Sequence, residues 1–107
     1  MKWIVTVIVL FVSVVSFAQI EIVQYSAEFV KSNEISLSSF RYDTKTLYMS
    51  KAADKFAELD IQYIPTIILF NNGEEVYRVE SGISLKLPED TIEQIEEKID
   101  EIMESKF

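Results

Sequence analysis

The chain opens with an almost unbroken apolar run from Trp3 to Val15 and then changes character, settling into short apolar stretches separated by polar and charged residues. Met1-Lys2 precede the run. Ser16-Phe17-Ala18-Gln19 end it, with small residues three and one positions before the bond that joins Ala18 to Gln19. This is the layout of a secretory signal peptide. The run is shorter than the ~20 residues a membrane-spanning helix needs, which favours cleavage over a lasting anchor. An uncleaved anchor and a buried first strand rich in Val and Ile are the two other readings. Residues 1–18 are therefore expected to be a signal peptide and residues 19–107 the folded domain.

From Gln19 onward the pattern alternates between strand and helix periods. Ile20 to Tyr25 is short, β-branched and partly alternating, which predicts a strand. A polar junction from Ser26 to Asn33 leads into Glu34 to Phe40, where Ile35, Leu37 and Phe40 suit one face of a short helix, although Ser36, Ser38 and Ser39 are poor helix formers. Lys45 to Met49 predicts a second strand. Ser50 is placed to cap a helix over Lys51 to Leu59, in which Ala52, Ala53, Phe56 and Leu59 fall at helical spacing.

Thr66 to Phe70 is continuously apolar and β-branched, as a strand buried on both faces would be. Asn71-Asn72-Gly73 supplies residues that tolerate positive φ, so Val76 to Glu80 is expected to return as the second arm of a hairpin. Pro88-Glu89-Asp90 then opens a last helix, with Pro where the N–H is dispensable and acids where the dipole favours them. Ile92, Ile95, Ile99, Ile102 and Met103 make one apolar stripe through it, suited to packing on a sheet or, less well at this length, to a coiled-coil seam. The opposite face carries Glu93, Glu96, Glu97, Asp100, Glu101 and Glu104. The order predicts an α/β domain with a mixed sheet of about four strands and helices on both faces.

Composition narrows the chemistry. The net charge of −8 becomes −9 once Lys2 leaves with the signal, and no basic cluster offsets it, so nucleic acid and anionic membranes are poor partners. There is no cysteine, although an exported chain enters a compartment that permits disulfides. There is also no histidine to act as a base near neutral pH, and no HExxH, GxSxG or P-loop pattern. The acids lie scattered, in positions usual for turns, caps and surfaces. No catalytic residue, cofactor or metal site is expected.

The block Tyr63-Ile64-Pro65-Thr66-Ile67-Ile68-Leu69-Phe70-Asn71-Asn72-Gly73-Glu74-Glu75-Val76 resembles the Ile-Pro-Thr loop, central strand and Gly-containing hairpin of the thioredoxin superfamily. Upstream, Ala27-Glu28-Phe29 resembles the Ala-Glu-Trp that precedes the redox motif there. The resemblance implies a three-layer thioredoxin-like fold and a cis peptide bond before Pro65; an ordinary trans Pro at the start of a strand is the alternative. It also implies that Val30, Lys31, Ser32 and Asn33 stand where the family has Cys-x-x-Cys. Thiol–disulfide exchange needs a thiolate to attack and a second thiol to resolve the mixed disulfide, and neither is present. The family's buried acid behind those cysteines corresponds to Gln24, which does not titrate. Two parts of the redox apparatus are thus missing, and the chain resembles small exported thioredoxin-like proteins that are redox-inactive.

What the resemblance leaves is a binding role. In the family, a groove between the redox loop and the Ile-Pro-Thr loop holds extended peptide without needing cysteine, which here implicates Phe29, Val30, Ile64, Pro65 and Thr66, with Lys31, Ser32 and Asn33 at the rim. The competing reading is that Phe29 and Val30 simply fill the core. The expectation is a non-catalytic module that binds a protein or peptide in the periplasm or outside the cell, with no membrane contact after signal cleavage. An accessory subunit of a redox system whose cysteines lie on a partner is the alternative, and the acidic last helix could serve to dock a basic partner.

Overall fold

The structure, a computed structural model, describes residues 19–104. The signal-like segment lies outside the described residues. Four strands, β1 (Ile20–Ser26), β2 (Asp43–Tyr48), β3 (Thr66–Asn71) and β4 (Glu74–Glu80), form one mixed sheet in the order β2-β1-β3-β4. β1 runs parallel to β2 and antiparallel to β3, and β3 to β4 is an antiparallel hairpin. Two helices accompany the sheet, α1 (Ala53–Glu58) and α2 (Thr91–Glu104), together with 3₁₀ turns at Glu28–Asn33 and Gly82–Ser84.

The period of two along β1 divides its side chains between two cores. Ile20 and Ile22 join Ile67 and Leu69 of β3 and Ile95 and Ile99 of α2. Val23 and Tyr25 face the other way, meeting Ile68, Ile64, Val30 and Phe56 of α1. β3 is therefore buried on both faces from Thr66 to Leu69, as its unbroken apolar run predicts. Each such fully buried aliphatic side chain contributes about 1.5–3 kcal/mol. The stripe of α2 packs on the sheet through Ile95 and Ile99, with Ile102 and Met103 against the same core, while its acidic side chains are exposed.

The hairpin turns on Asn72 (φ 56°) and Gly73 (φ 84°). Positive φ at both central residues is the arrangement that matches the strands' twist in a two-residue loop. Asn72 also fastens the start of β1: its amide bonds the Gln19 carbonyl at 2.9 Å and its Oδ1 accepts from the Gln19 N–H at 3.0 Å. In β4 the register jumps from Leu69 opposite Tyr77 to Phe70 opposite Glu75, so Val76 is an extra, bulged residue.

Several sequence expectations are corrected. The helix expected over Glu34 to Phe40 does not form; helical turns occur one segment earlier, at Glu28–Asn33, and residues 34–42 are irregular. The serines divert the backbone: Ser36 Oγ accepts from the Ser38 N–H at 3.4 Å and lies 2.8 Å from Ser38 Oγ, the local bonding by which serine competes with helix. Ser50 does not cap α1. It lies in a turn, and α1 starts later, after Ala52, with no side-chain cap and only six residues. β2 begins two residues earlier than expected and ends one earlier, at Asp43–Tyr48. Pro88 precedes α2 by a turn, its carbonyl accepting from the Thr91 N–H at 3.2 Å and from Thr91 Oγ1 at 2.6 Å.

Candidate functional site

Three connections meet at one end of the sheet. The 3₁₀ turn Glu28–Asn33 follows β1, the bend Tyr63-Ile64-Pro65 precedes β3, and the loop Ser81 to Leu85 follows β4. They are tied to one another. The Ser81 N–H bonds the Pro65 carbonyl at 3.2 Å, and the Asn33 side-chain amide donates to the Leu85 carbonyl at 2.9 Å. Val30 and Ile64 share a core cluster, against which Leu85 packs. The peptide bond from Ile64 to Pro65 is cis.

The five side chains expected to line a groove come together here with very different exposure. Val30 is 2% exposed and Ile64 8%, and Pro65 and Thr66 are fully buried. Phe29 alone projects, at 72% exposure. Of the two readings of Phe29 and Val30, burial thus fits Val30 and surface display fits Phe29. Val30 is held by a backbone bond as well as by packing: its own N–H bonds the Ala27 carbonyl at 3.0 Å, and it belongs to the same core cluster as Val23 and Tyr25. At the rim, Lys31 and Ser32 are exposed and Asn33 is half-buried by its bond to Leu85.

Residues that sequence reasoning did not single out complete the apolar surface. Ile83 is 91% exposed, and Tyr63 is also among the exposed large hydrophobic residues. Ile83 is the middle residue of the 3₁₀ turn Gly82–Ser84, which opens on Gly82 at a φ of 71° that favours glycine. An isolated isoleucine between Gly and Ser, outside any period of two or 3.6, was the available signal.

The polar groups behind this end are consumed internally. Gln24 is 1% exposed; its Nε2 donates to the Ile35 carbonyl at 3.0 Å and its Oε1 accepts from the Ile35 N–H at 3.0 Å. One carboxamide thereby imitates a strand partner for the chain just past the 3₁₀ turn. A carboxylate could accept from that N–H but would repel the carbonyl, so the amide suits this position where an acid would not. Glu34 is similarly occupied, accepting from the buried Ser26 hydroxyl at 2.9 Å and from the Tyr48 hydroxyl at 3.2 Å. Loss of hydration, and then the bond to Glu34, push the Tyr48 pKa up. The Lys31 ammonium lies 5.5 Å from the centre of the Tyr48 ring, within reach of a cation–π contact.

The chain has no thiol for disulfide exchange. Val30 and Asn33 offer no nucleophile, Ser32 has no histidine to activate it, and Ser26 is enclosed. Among the described residues no group of three or more acids, histidines or cysteines is placed to hold a metal ion. What the end of the sheet does present is aromatic and aliphatic surface on a fixed frame.

No family model matches the sequence, and no curated protein sequence matches it. Solved structures do resemble it. Thioredoxin-2 of the malaria parasite, a component of that parasite's protein secretion machinery, aligns with a TM-score of 0.58 at 15% identity, over 77% of this chain and 85% of its own. The oxidised thioredoxin of Plasmodium falciparum aligns with a TM-score of 0.57 at 18% identity, over 85% of this chain and 90% of its own. A designed protein gives 0.54 at 17% identity, over 79% and 77%. At such identities the likeness is one of fold, and the chain has the thioredoxin fold with no cysteine anywhere on it.

Proposed function

We propose that the chain is a non-catalytic thioredoxin-fold module that binds a protein or peptide outside the cytoplasm. The observation that carries this reading is the exposure of Phe29 at 72% and Ile83 at 91%, on loops that bracket the Ile64-Pro65 bend. Apolar side chains exposed singly are ordinary; what supports the reading is that Phe29, Tyr63 and Ile83 lie on the three connections that meet at one end of the sheet. Their frame is rigid: the loops are joined by hydrogen bonds and share a core. A partner therefore meets a preformed apolar surface, which keeps the ordering cost of binding low. The loss of both cysteines fits a binder, because capture through backbone and apolar contacts needs no thiol. The location rests on the signal-like residues 1–18.

The test is site-specific photo-crosslinking in the native host. Val30 is too deeply buried to carry the probe, so it belongs at Phe29, with a control at the exposed Glu97 of α2. A defined protein caught from position 29 and not from position 97 is the expected result. Capture from position 97 alone would move the function to the acidic helix, and an absence of adducts at position 29 would remove the proposal.

A further inference from the structure

The two edges of the sheet are treated differently by the sequence. β4, on one side, carries the bulge at Val76 and the acids Glu74, Glu75 and Glu80. Bulges and charge are the usual means of keeping an edge from pairing with another chain. β2, on the other side, has no bulge, and its two charges, Asp43 and Lys45, are of opposite sign and so can pair with those of another strand. It pairs with β1 in unbroken register from Asp43 to Tyr48, contains no Pro, and among the described residues no backbone hydrogen bond leaves its outer side from Asp43 to Leu47. Asp43, Thr44 and Lys45 are exposed.

We infer that β2 pairs antiparallel with β2 of a second copy of this chain, about a two-fold axis at Thr44, joining two four-stranded sheets into one of eight. The register follows from charge. In a two-fold antiparallel pair, opposed residues lie on the same face, so the axis must pass through a residue and not between two. Five centres are available along Asp43 to Leu47. An axis at Asp43 sets Asp43 against itself and Lys45 against Arg41. An axis at Lys45 sets that ammonium against its own copy. Axes at Thr46 and Leu47 place Lys45 opposite Leu47 and Met49. The axis at Thr44 alone gives Lys45 an acid, Asp43 of the other copy, and does so twice.

The remaining pairs of that register agree with it. Thr44 meets Thr44, and Tyr42 meets Thr46, so every opposed pair from position 42 to 46 is of a kind that stabilises neighbouring strands. Lys45 already lies 3.5 Å from Glu21 of β1, so in the dimer its ammonium stands between two carboxylates. One strand pair buries less than the ~1,000 Å² typical of a lasting interface. The dimer is thus weak and concentration-dependent, and the long-range repulsion between two acidic copies has to be screened by salt.

The absence of cysteine makes the test clean. Thr44→Cys places one thiol on the two-fold axis, where opposed Cβ atoms lie about 4.5–5.5 Å apart and a disulfide needs little adjustment. Ser38→Cys, exposed and off the strand, is the control. Both are made in the chain expressed from its full sequence, oxidised mildly at about 0.15 M salt and read by non-reducing electrophoresis. Circular dichroism confirms that each variant folds. T44C should give covalent dimer at least about tenfold faster than S38C. Adding D43K or K45D to T44C should slow this about tenfold, and adding both should restore it, because the swap rebuilds the opposite-charge pairs. Cross-linking of T44C no faster than that of S38C, a double swap no better than the single changes, or trapping of a different protein at position 44 would each overturn the inference. Phe29→Ser leaves it untouched, so its failure and that of the proposed binding surface can be told apart.

Discussion

A buried carboxamide at position 24 sets the path of the chain beyond the 3₁₀ turn, because Gln24 satisfies both the N–H and the carbonyl of Ile35. Gln24→Leu keeps the volume and removes both bonds, leaving two backbone groups without partners at roughly 1–3 kcal/mol each. Chemical denaturation should register that loss. The neighbouring Tyr25 gives the molecule its alkaline limit. Burial, and then the charges of Glu21 and Glu75, raise its pKa to about 12, against the partial opposition of Arg78. Since the folded state disfavours the phenolate, the stability linked to Tyr25 is whole below pH 10 and is lost as pH rises from 10 through 12. Denaturant unfolding across that window should show the decline, and Tyr25→Phe should flatten most of it, with the raised Tyr48 leaving a smaller slope.

At the scale of elements, the hairpin is where sequence and structure agree most closely, because Asn72 and Gly73 are asked for positive φ by local chemistry alone. No atom lies within 4 Å of a Cβ built on Gly73, so Gly73→Ala tests backbone conformation free of steric contact. It should cost about 1–2 kcal/mol, lowering Tm by roughly 4–8 °C for each kcal/mol in a domain of this size. β3 and α2 were legible for a related reason: a five-residue apolar run and a stripe of five apolar residues at helical spacing each encode burial over many positions. The stretch from Ser26 to Tyr42 was not. Its helical turns depend on Val30 entering a core built by distant residues, and its later course depends on Gln24, eleven positions before Ile35. α1 lacks the cap that Ser50 was expected to give, and the chain just past its other end is held by Arg78, whose Nη2 donates to the Leu59 carbonyl at 2.7 Å from β4. Local pattern carries no trace of such partners. The same holds for the candidate site: Phe29 and Val30 are adjacent and similar in hydrophobicity, and only the tertiary frame decides that one is displayed and the other enclosed.

Across the whole molecule, the thioredoxin fold supplies a frame whose turn after β1 carries Val30, Lys31, Ser32 and Asn33 and behind which Gln24, Ser26, Glu34 and Tyr48 bond one another or the backbone. The fold is present without the thiol chemistry, and Phe29, Tyr63 and Ile83 are displayed on the connections at one end of the sheet. Two surfaces follow from this division, one at Phe29 and Ile83 and one along β2, and they differ in chemistry: the first is aromatic and aliphatic, the second a strand edge with paired charges. The most direct measurement of the binding account is an NMR titration of the ¹⁵N-labelled domain with the partner captured from position 29. Amide shifts confined to residues 28–33, 63–66 and 81–85, and abolished by Phe29→Ser with Ile83→Ser, are the expected result. Shifts centred on the acidic face of α2, or shifts that survive the double substitution, would contradict it.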